Sequence, residues 1–199
     1  MKARKPVALS AICLCLLLNL SLLFVSARGQ SVDSLQWGAT IDGLQMSVSM
    51  ADSRTTDVPA FQVALRNAGE KDVTLNLGIM LANGKVQLPT KISFNVTDST
   101  GQIRRFDFAD PKYGFVAGRA DDYIVSLRAH SSYTLIIRAD QLWSPDSKDY
   151  GLKLAPGKYQ ITTQFEGSGA RAVNLDTPGI KLMNFWIGRL QSNALVVER

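Results

Sequence analysis

The chain has 199 residues, 46% of them hydrophobic, with a formal net charge of +5 at pH 7. It contains no cluster of basic residues interleaved with aromatic ones, which argues against a nucleic-acid-binding protein. The only two cysteines, Cys13 and Cys15, lie close together near the N-terminus. A disulfide framework and a Cys-ligated zinc site are therefore excluded for the rest of the chain.

The first 27 residues have the composition of an export signal. Three basic residues open the chain, an apolar run follows from Val7 to Val25, and the small residues Ser26 and Ala27 close it. This order predicts a signal peptide cleaved after Ala27 and an extracytoplasmic protein, either secreted or periplasmic. The apolar run is also long enough to cross a bilayer. An uncleaved membrane anchor over residues 7–25 is therefore the alternative.

Alternating apolar and polar residues, typical of strands, occupy most of the remaining sequence. About nine short runs follow this pattern, and turn-forming residues separate them. They are Leu44–Met50, Phe61–Leu65, Val73–Ile79, Ile92–Val96, Ile103–Phe108, Tyr123–Leu127, Tyr133–Ile137, Tyr159–Phe165 and Ala194–Val197. The pattern predicts an all-β antiparallel sandwich. We expect one domain over residues 38–198, preceded by a short polar lead-in over residues 28–37.

The sequence Pro156-Gly157-Lys158-Tyr159 is the most informative structural motif. Pro156 and Gly157 favour a turn between two strands, because glycine reaches positive φ easily and proline has a preset φ. Tyr159 then begins a strand, where its ring can pack on the end of a sandwich and its hydroxyl can bond to backbone. This arrangement predicts a tyrosine corner, a device of immunoglobulin-like domains.

Five stretches resemble the strands and turns of bacterial secreted immunoglobulin-like domains. They are Phe61–Asn67, Val73–Leu77, Val96–Gly101, Leu154–Tyr159 and Trp186–Asn193. The arrangement up to Phe165 is also similar to the proteinase-inhibitor-type immunoglobulin-like domains of bacteria. The resemblance implies an immunoglobulin-like fold, an extracytoplasmic location and, faintly, an inhibitory activity. No reactive-site loop of that family matches, so no functional residue is carried over.

The candidates for catalysis and metal binding are sparse. His130 is the only histidine, and its surroundings predict a solvated turn rather than a general base. The aspartate pairs Asp121-Asp122 and Asp146 with Asp149 do not have the spacing of a calcium loop. We therefore expect no enzyme, no cofactor and no metal.

Two apolar loops are the candidate interaction sites. One carries Tyr113 and Phe115, and the other carries Met183, Phe185 and Trp186. If exposed they would form a binding patch, since aromatic residues and methionine are enriched in interfaces; otherwise they cover the open end of the sandwich.

The sequence favours a binding or accessory module with protein or cell-envelope partners. The alternatives are a proteinase inhibitor and a carbohydrate-binding module that uses Trp143 or Trp186 as a stacking platform.

Overall fold

The computed structural model describes residues 35–52, 58–109, 120–170 and 183–199. Within these residues the chain forms twelve strands and one short 3-10 helix, Ala139–Gln141. The strands are β1 Leu44–Met50, β2 Ala60–Asn67, β3 Val73–Leu81, β4 Val86–Leu88, β5 Ile92–Thr97, β6 Ile103–Phe108, β7 Asp121–Leu127, β8 Ser132–Arg138, β9 Leu142–Trp143, β10 Lys158–Gly167, β11 Gly188–Gln191 and β12 Leu195–Glu198. In this part of the chain, no helix is both long and apolar enough to cross a membrane.

The strands form three antiparallel sheets, which confirms the predicted all-β class. Two sheets have three strands each, in the orders β1-β2-β8 and β4-β3-β7. The third, which we call the large sheet, has the order β11-β10-β5-β6-β9, with β12 also pairing with β10.

The structure has more strands than the roughly nine predicted. β4 has three residues and β9 has two, too few for alternation to be recognised in a sequence. β11 and β12 both pair with β10, but their registers are offset. Ile161 and Gln164 are three residues apart in β10, whereas their partners, Leu195 and Gln191, are four residues apart. One edge strand is thus interrupted by a bulge at Ser192, Asn193 and Ala194.

The three sheets share a single hydrophobic core. Alternate residues of each strand point into it, as the period of two requires. Phe61 of β2 packs on Phe94 of β5 with ring centroids 5.2 Å apart. Further fully buried members include Leu44, Met46, Val63, Leu65, Leu75, Leu77, Ile92, Ile161 and Phe165.

The compact unit begins at Leu35, slightly before the predicted boundary at residue 38. The backbone N–H of Gly38 donates to the carbonyl of Met46 at 2.9 Å. The guanidinium of Arg66 lies 4.4 Å from the ring centroid of Trp37. Trp37, the last residue of the expected polar lead-in, therefore packs against β2.

Pro156 and Gly157 end a long connection between β9 and β10 and do not form a two-residue turn. Gly157 has a φ of +151° and exchanges two backbone hydrogen bonds of 3.0 Å with Arg199. Gly157 and Arg199 thereby extend the pairing of β10 with β12. Tyr159 follows with 8% of its surface exposed, so its ring packs against the core as the motif predicts.

Candidate binding face

One side of the large sheet packs on the core. The opposite side carries polar residues, and we call it the polar face. Along β5, β6 and β10, its side chains alternate with Phe94, Phe106 and Phe165. Its polar members are Ser93, Asn95, Thr97, Arg105, Asp107, Lys158, Gln160, Thr162, Gln164, Glu166, Arg189, Gln191 and Glu198. Seven of these thirteen are uncharged. The face therefore offers neutral donors and acceptors together with charged groups of both signs.

One row of side chains crosses the whole polar face at right angles to the strands. The registers place the following residues side by side: Gln191 of β11, Gln164 of β10, Ser93 of β5, Asp107 of β6 and Trp143 of β9. Tyr150 bridges to Trp143 and extends the row by one position. Neighbouring strands lie about 4.8 Å apart, so these six positions span about 24 Å. We call this set the crossing row.

Two aromatic residues end the crossing row. Trp143 and Tyr150 form a narrow antiparallel pair, flanked by bonds from Ser144 N–H to Asp149 O (3.0 Å) and from Gly151 N–H to Leu142 O (2.7 Å). In a pair of this type the Cα atoms are only about 4.5 Å apart and the side chains project to the same side. Trp143 is half-buried and Tyr150 is 50% exposed. Both are held on a backbone that is tied to the edge of the large sheet.

The middle of the crossing row is recessed. Ser93, at the centre of the row, is only 6% exposed. A cavity of about 470 Å³ opens above it. The described residues that line it are Thr90, Lys91, Ser93, Arg105, Gln164, Glu166, Ser168 and Arg189. We call this cavity the corner pocket.

The charged side chains of the corner pocket pair with one another or with polar neighbours. Arg105 Nε lies 2.9 Å from Asp107 Oδ1, and Arg189 lies 3.8 Å from Glu166 Oε1. The Lys91 ammonium donates to the Ser168 hydroxyl. The described lining of the pocket is therefore polar and charged.

The predicted apolar loops contribute little exposed surface in the described residues. Tyr113 and Phe115 lie outside the described residues. Met183 is exposed and Phe185 is half-buried. Trp186 is 5% exposed and stacks on Phe165, with ring centroids 5.7 Å apart. Trp186 therefore belongs to the core and does not present a stacking surface, which corrects both roles that the sequence allowed it.

The only histidine, His130, lies at an exposed position. His130 sits in the turn between β7 and β8, 3.2 Å from Glu70, with both side chains mostly in solvent. Within residues 35–52, 58–109, 120–170 and 183–199, no group of three His, Cys, Asp or Glu side chains is placed to hold a metal ion.

The sequence pointed to Trp143 but missed the rest of the crossing row. Each member is an ordinary polar residue on the wet side of a strand, so its own segment carries no signal. The signal is the register between strands, which places residues up to 71 positions apart, Ser93 and Gln164, next to each other. Tyr150 was missed because its bridge to Trp143 lies outside the regular strands.

The chain matches no protein family and no curated protein. Two solved structures with some similarity are β-glucuronidases of Bacteroides uniformis. One is 8% identical over 77% of this chain and 13% of its own length, with a TM-score of 0.30. The other, β-glucuronidase 2 covalently bound to cyclophellitol-6-carboxylate aziridine, is 10% identical over 82% and 14%, with a TM-score of 0.31. The chain thus spans about a seventh of each, and similarity at this level carries no functional argument.

Proposed function

We propose that this chain is an exported, non-enzymatic binding module that holds a polysaccharide of the cell envelope across its polar face. The proposed fold is an immunoglobulin-like β-sandwich, supported by the shared core of the three sheets and by the buried Tyr159. The proposed location depends on the export signal in residues 1–27. The crossing row carries the proposal of a polysaccharide ligand.

The crossing row matches the chemistry of a sugar chain in two respects. Each sugar hydroxyl is both a donor and an acceptor, and the amide groups of Gln164 and Gln191 likewise offer both functions. The C–H face of a sugar ring is apolar, and a flat aromatic side chain at a wet surface can cover it. Trp143 and Tyr150 provide that surface at one end of a row that is long enough for several sugar rings.

The inhibitor alternative gains no comparable support. It requires a projecting loop that enters a protease active site, and no such loop could be matched in the sequence. The polar face, in contrast, is broad, and its side chains are positioned by strands. Sites built on strands hold their geometry better than sites built on loops.

Binding to a panel of soluble polysaccharides tests the proposal, with affinity electrophoresis for detection and calorimetry for affinity. Replacing Trp143 or Tyr150 by alanine is expected to weaken binding about tenfold, since a few aromatic contacts typically contribute most of the binding energy of an interface. Ile136→Ala is the matched control, because Ile136 is an exposed apolar residue on β8, outside the large sheet.

Two further variants test the amide contacts. Gln164→Ala is expected to weaken binding about fivefold, by the loss of one or two hydrogen bonds. Gln62→Ala removes the same group from β2, in the β1-β2-β8 sheet, and is expected to leave binding unchanged. Failure to bind any polysaccharide, or full binding by the Trp143 and Tyr150 variants, would contradict the proposed function.

A further inference from the structure

Strand β8 is an edge strand of the β1-β2-β8 sheet. All seven of its residues pair with β2 without a shift of register. Just before the strand, Asn67 N–H donates to the Ser131 carbonyl at 3.0 Å. Just after it, Ala139 N–H donates to the Pro59 carbonyl at 2.8 Å. Since hydrogen-bonded and non-hydrogen-bonded pairs alternate in an antiparallel ladder, the odd-numbered residues of β8 bond to β2 and the even-numbered ones direct their backbone groups away from it.

Thr134 and Ile136 therefore direct their backbone N–H and carbonyl groups out of the sheet. In the part of the chain that the structure describes, no group bonds to them. Thr134 is exposed, and 58% of the Ile136 surface is exposed. We call these two residues the open edge of β8.

The other edge strands of the described residues carry features that discourage pairing with a further strand. The N–H and the carbonyl of Val48 on β1 both bond to Asn193. Strands β4 and β9 have only three and two residues, β7 begins with Asp121 and Asp122, and a bulge separates β11 from β12. In contrast, residues 132–137 of β8 contain no charge, proline or glycine, and most of them favour strand pairing.

A groove of about 270 Å³ lies beside the open edge. The described residues that line it include Phe108, Tyr123, Tyr133 and Leu135. The side chains of Tyr133 and Leu135 are only half-buried, so both keep apolar surface that a neighbour could cover. The groove therefore leaves space for the side chains of a strand added to β8.

We infer that two copies of this chain associate by antiparallel pairing of their β8 strands. The register that overlaps all seven residues places the two-fold axis at Leu135. Thr134 of each copy then lies opposite Ile136 of the other, in two hydrogen-bonded pairs that exchange two bonds each. The β1-β2-β8 sheets of the two copies become one continuous sheet.

A second copy fits this edge in charge and in side-chain type. Arg138 is the only charged residue of β8, and it would lie opposite Ser132 of the second copy, so no like charges meet. On the inner side of the strand, Leu135 would face its own equivalent and Tyr133 would face Ile137. Because the contact is two-fold symmetric, it uses each open edge once and closes as a dimer instead of growing into a fibre.

Sedimentation velocity over a range of protein concentrations tests for the dimer. Ile136→Lys is expected to weaken dimerisation at least tenfold, since the two introduced ammonium groups would lie diagonally across the strand pair, about 7–8 Å apart. Val196→Lys is the matched control, because Val196 is also 58% exposed but lies on β12, and it should leave the dimer unchanged. Thermal unfolding of each variant shows whether it is folded.

Two results of this experiment would overturn the inference. One is a wild-type protein that is still monomeric at about 1 mM, a concentration at which even a weak specific contact would be occupied. The other is a dimer that is lost in Val196→Lys and kept in Ile136→Lys.

A cysteine on the two-fold axis tests the register. In a protein whose Cys13 and Cys15 are replaced by serine, Leu135→Cys is expected to oxidise to a covalent dimer. The two Cα atoms of this non-hydrogen-bonded pair would be about 4.5 Å apart, within the range of a disulfide. Ser132→Cys is more exposed, but its equivalents would be about 20 Å apart, six residues along the strand. Equal oxidation rates for the two variants would overturn the proposed pairing.

Dimerisation and polysaccharide binding are separable properties, because the polar face belongs to the large sheet and not to the sheet of β8. Calorimetry reports affinity per chain, which should be the same for Ile136→Lys and the wild-type protein. A dimer that binds no polysaccharide would support the inference and overturn the proposed function. A monomer that binds polysaccharide would do the reverse.

Discussion

At the scale of single residues, Asn193 shows how a bulge is put to structural use. Its side-chain oxygen accepts from the N–H of Val48 at 2.8 Å, and its side-chain nitrogen donates to the Val48 carbonyl at 3.2 Å. Val48 lies on β1, the edge strand of another sheet. At the bulge, the Asn193 side-chain amide leaves the large sheet and binds both the N–H and the carbonyl of Val48. Without this contact, these two groups on an edge strand would be open to pairing with another chain.

Replacing Asn193 by alanine is expected to lower the free energy of unfolding by about 2 kcal/mol, because two hydrogen bonds are lost at a largely buried strand. Urea denaturation followed by tryptophan fluorescence measures the change. Asn95→Ala removes an amide from the polar face and should cost about 0.5 kcal/mol or less. Equal stability of the two variants would show that the link from Asn193 to β1 contributes little.

Tyr123 provides a pH dependence at the same scale. Its hydroxyl lies 2.6 Å from that of Tyr133. Burial, and then the Tyr133 hydroxyl, raise the pKa of Tyr123 well above its ordinary value of 10. A raised pKa means that stability is complete below pH 10 and falls as the unfolded chain ionises above it.

Between pH 9.5 and pH 11, the free energy of unfolding of the wild-type protein should therefore fall by about 1 kcal/mol more than that of Tyr123→Phe. This order-of-magnitude value follows from proton linkage. Denaturation curves over this range measure both slopes. Contributions from tyrosines and lysines that do not contact Tyr123 are common to the two proteins and cancel in the comparison. Parallel slopes would mean that Tyr123 ionises equally easily in the folded and unfolded chains.

At the scale of elements, the end of β10 and the start of β11 form a slot for Trp186. A Cβ atom on Gly167 would come within 2.4 Å of the Trp186 ring, and one on Gly188 within 3.0 Å. Glycine is required at Gly167 by the approach of the ring and not by backbone conformation. The two glycines allow the tryptophan to lie flat over Phe165.

Gly167→Ala should therefore displace Trp186 and lower the unfolding free energy by about 2 kcal/mol, the typical cost of overpacking. Gly169→Ala is a close control two residues away, since a Cβ there meets nothing within 4 Å. Near-ultraviolet circular dichroism reports on the tryptophan and thermal unfolding on the stability. An unchanged Gly167→Ala protein would mean that the slot adapts at little cost.

The elements also show how far a sequence can be interpreted. The alternation of Ile92, Phe94 and Val96 in β5 predicts a strand with one buried side, and the structure shows this. The same alternation leaves Ser93 as an unremarkable wet residue. Its place in the crossing row depends on pairing with Gln164 and Asp107, which are long-range contacts that local periodicity does not encode. The burial of Trp186 likewise depends on Gly167, which belongs to another segment.

At the scale of the whole molecule, stability comes from one core without covalent links. The core residues that the structure describes lie in the compact unit from Leu35 to Arg199, whereas Cys13 and Cys15 both precede it. A chain of this size can bury about 70% of its unfolded surface, so packing alone is sufficient for a stable fold. The proposed cleavage after Ala27 would remove both thiols and leave every described core residue in place.

A protein that begins at residue 28 is therefore expected to unfold cooperatively, with a thermal midpoint that does not change when a reductant such as dithiothreitol is added. Scanning calorimetry with and without the reductant measures this, and mass spectrometry of the exported protein locates its first residue. A first residue near 28 would support cleavage, and an intact N-terminus would favour the anchor. Because the described core residues all follow residue 34, we expect the same midpoint in both cases. A truncated chain that fails to fold would show that the first 27 residues contribute to the stability of the domain.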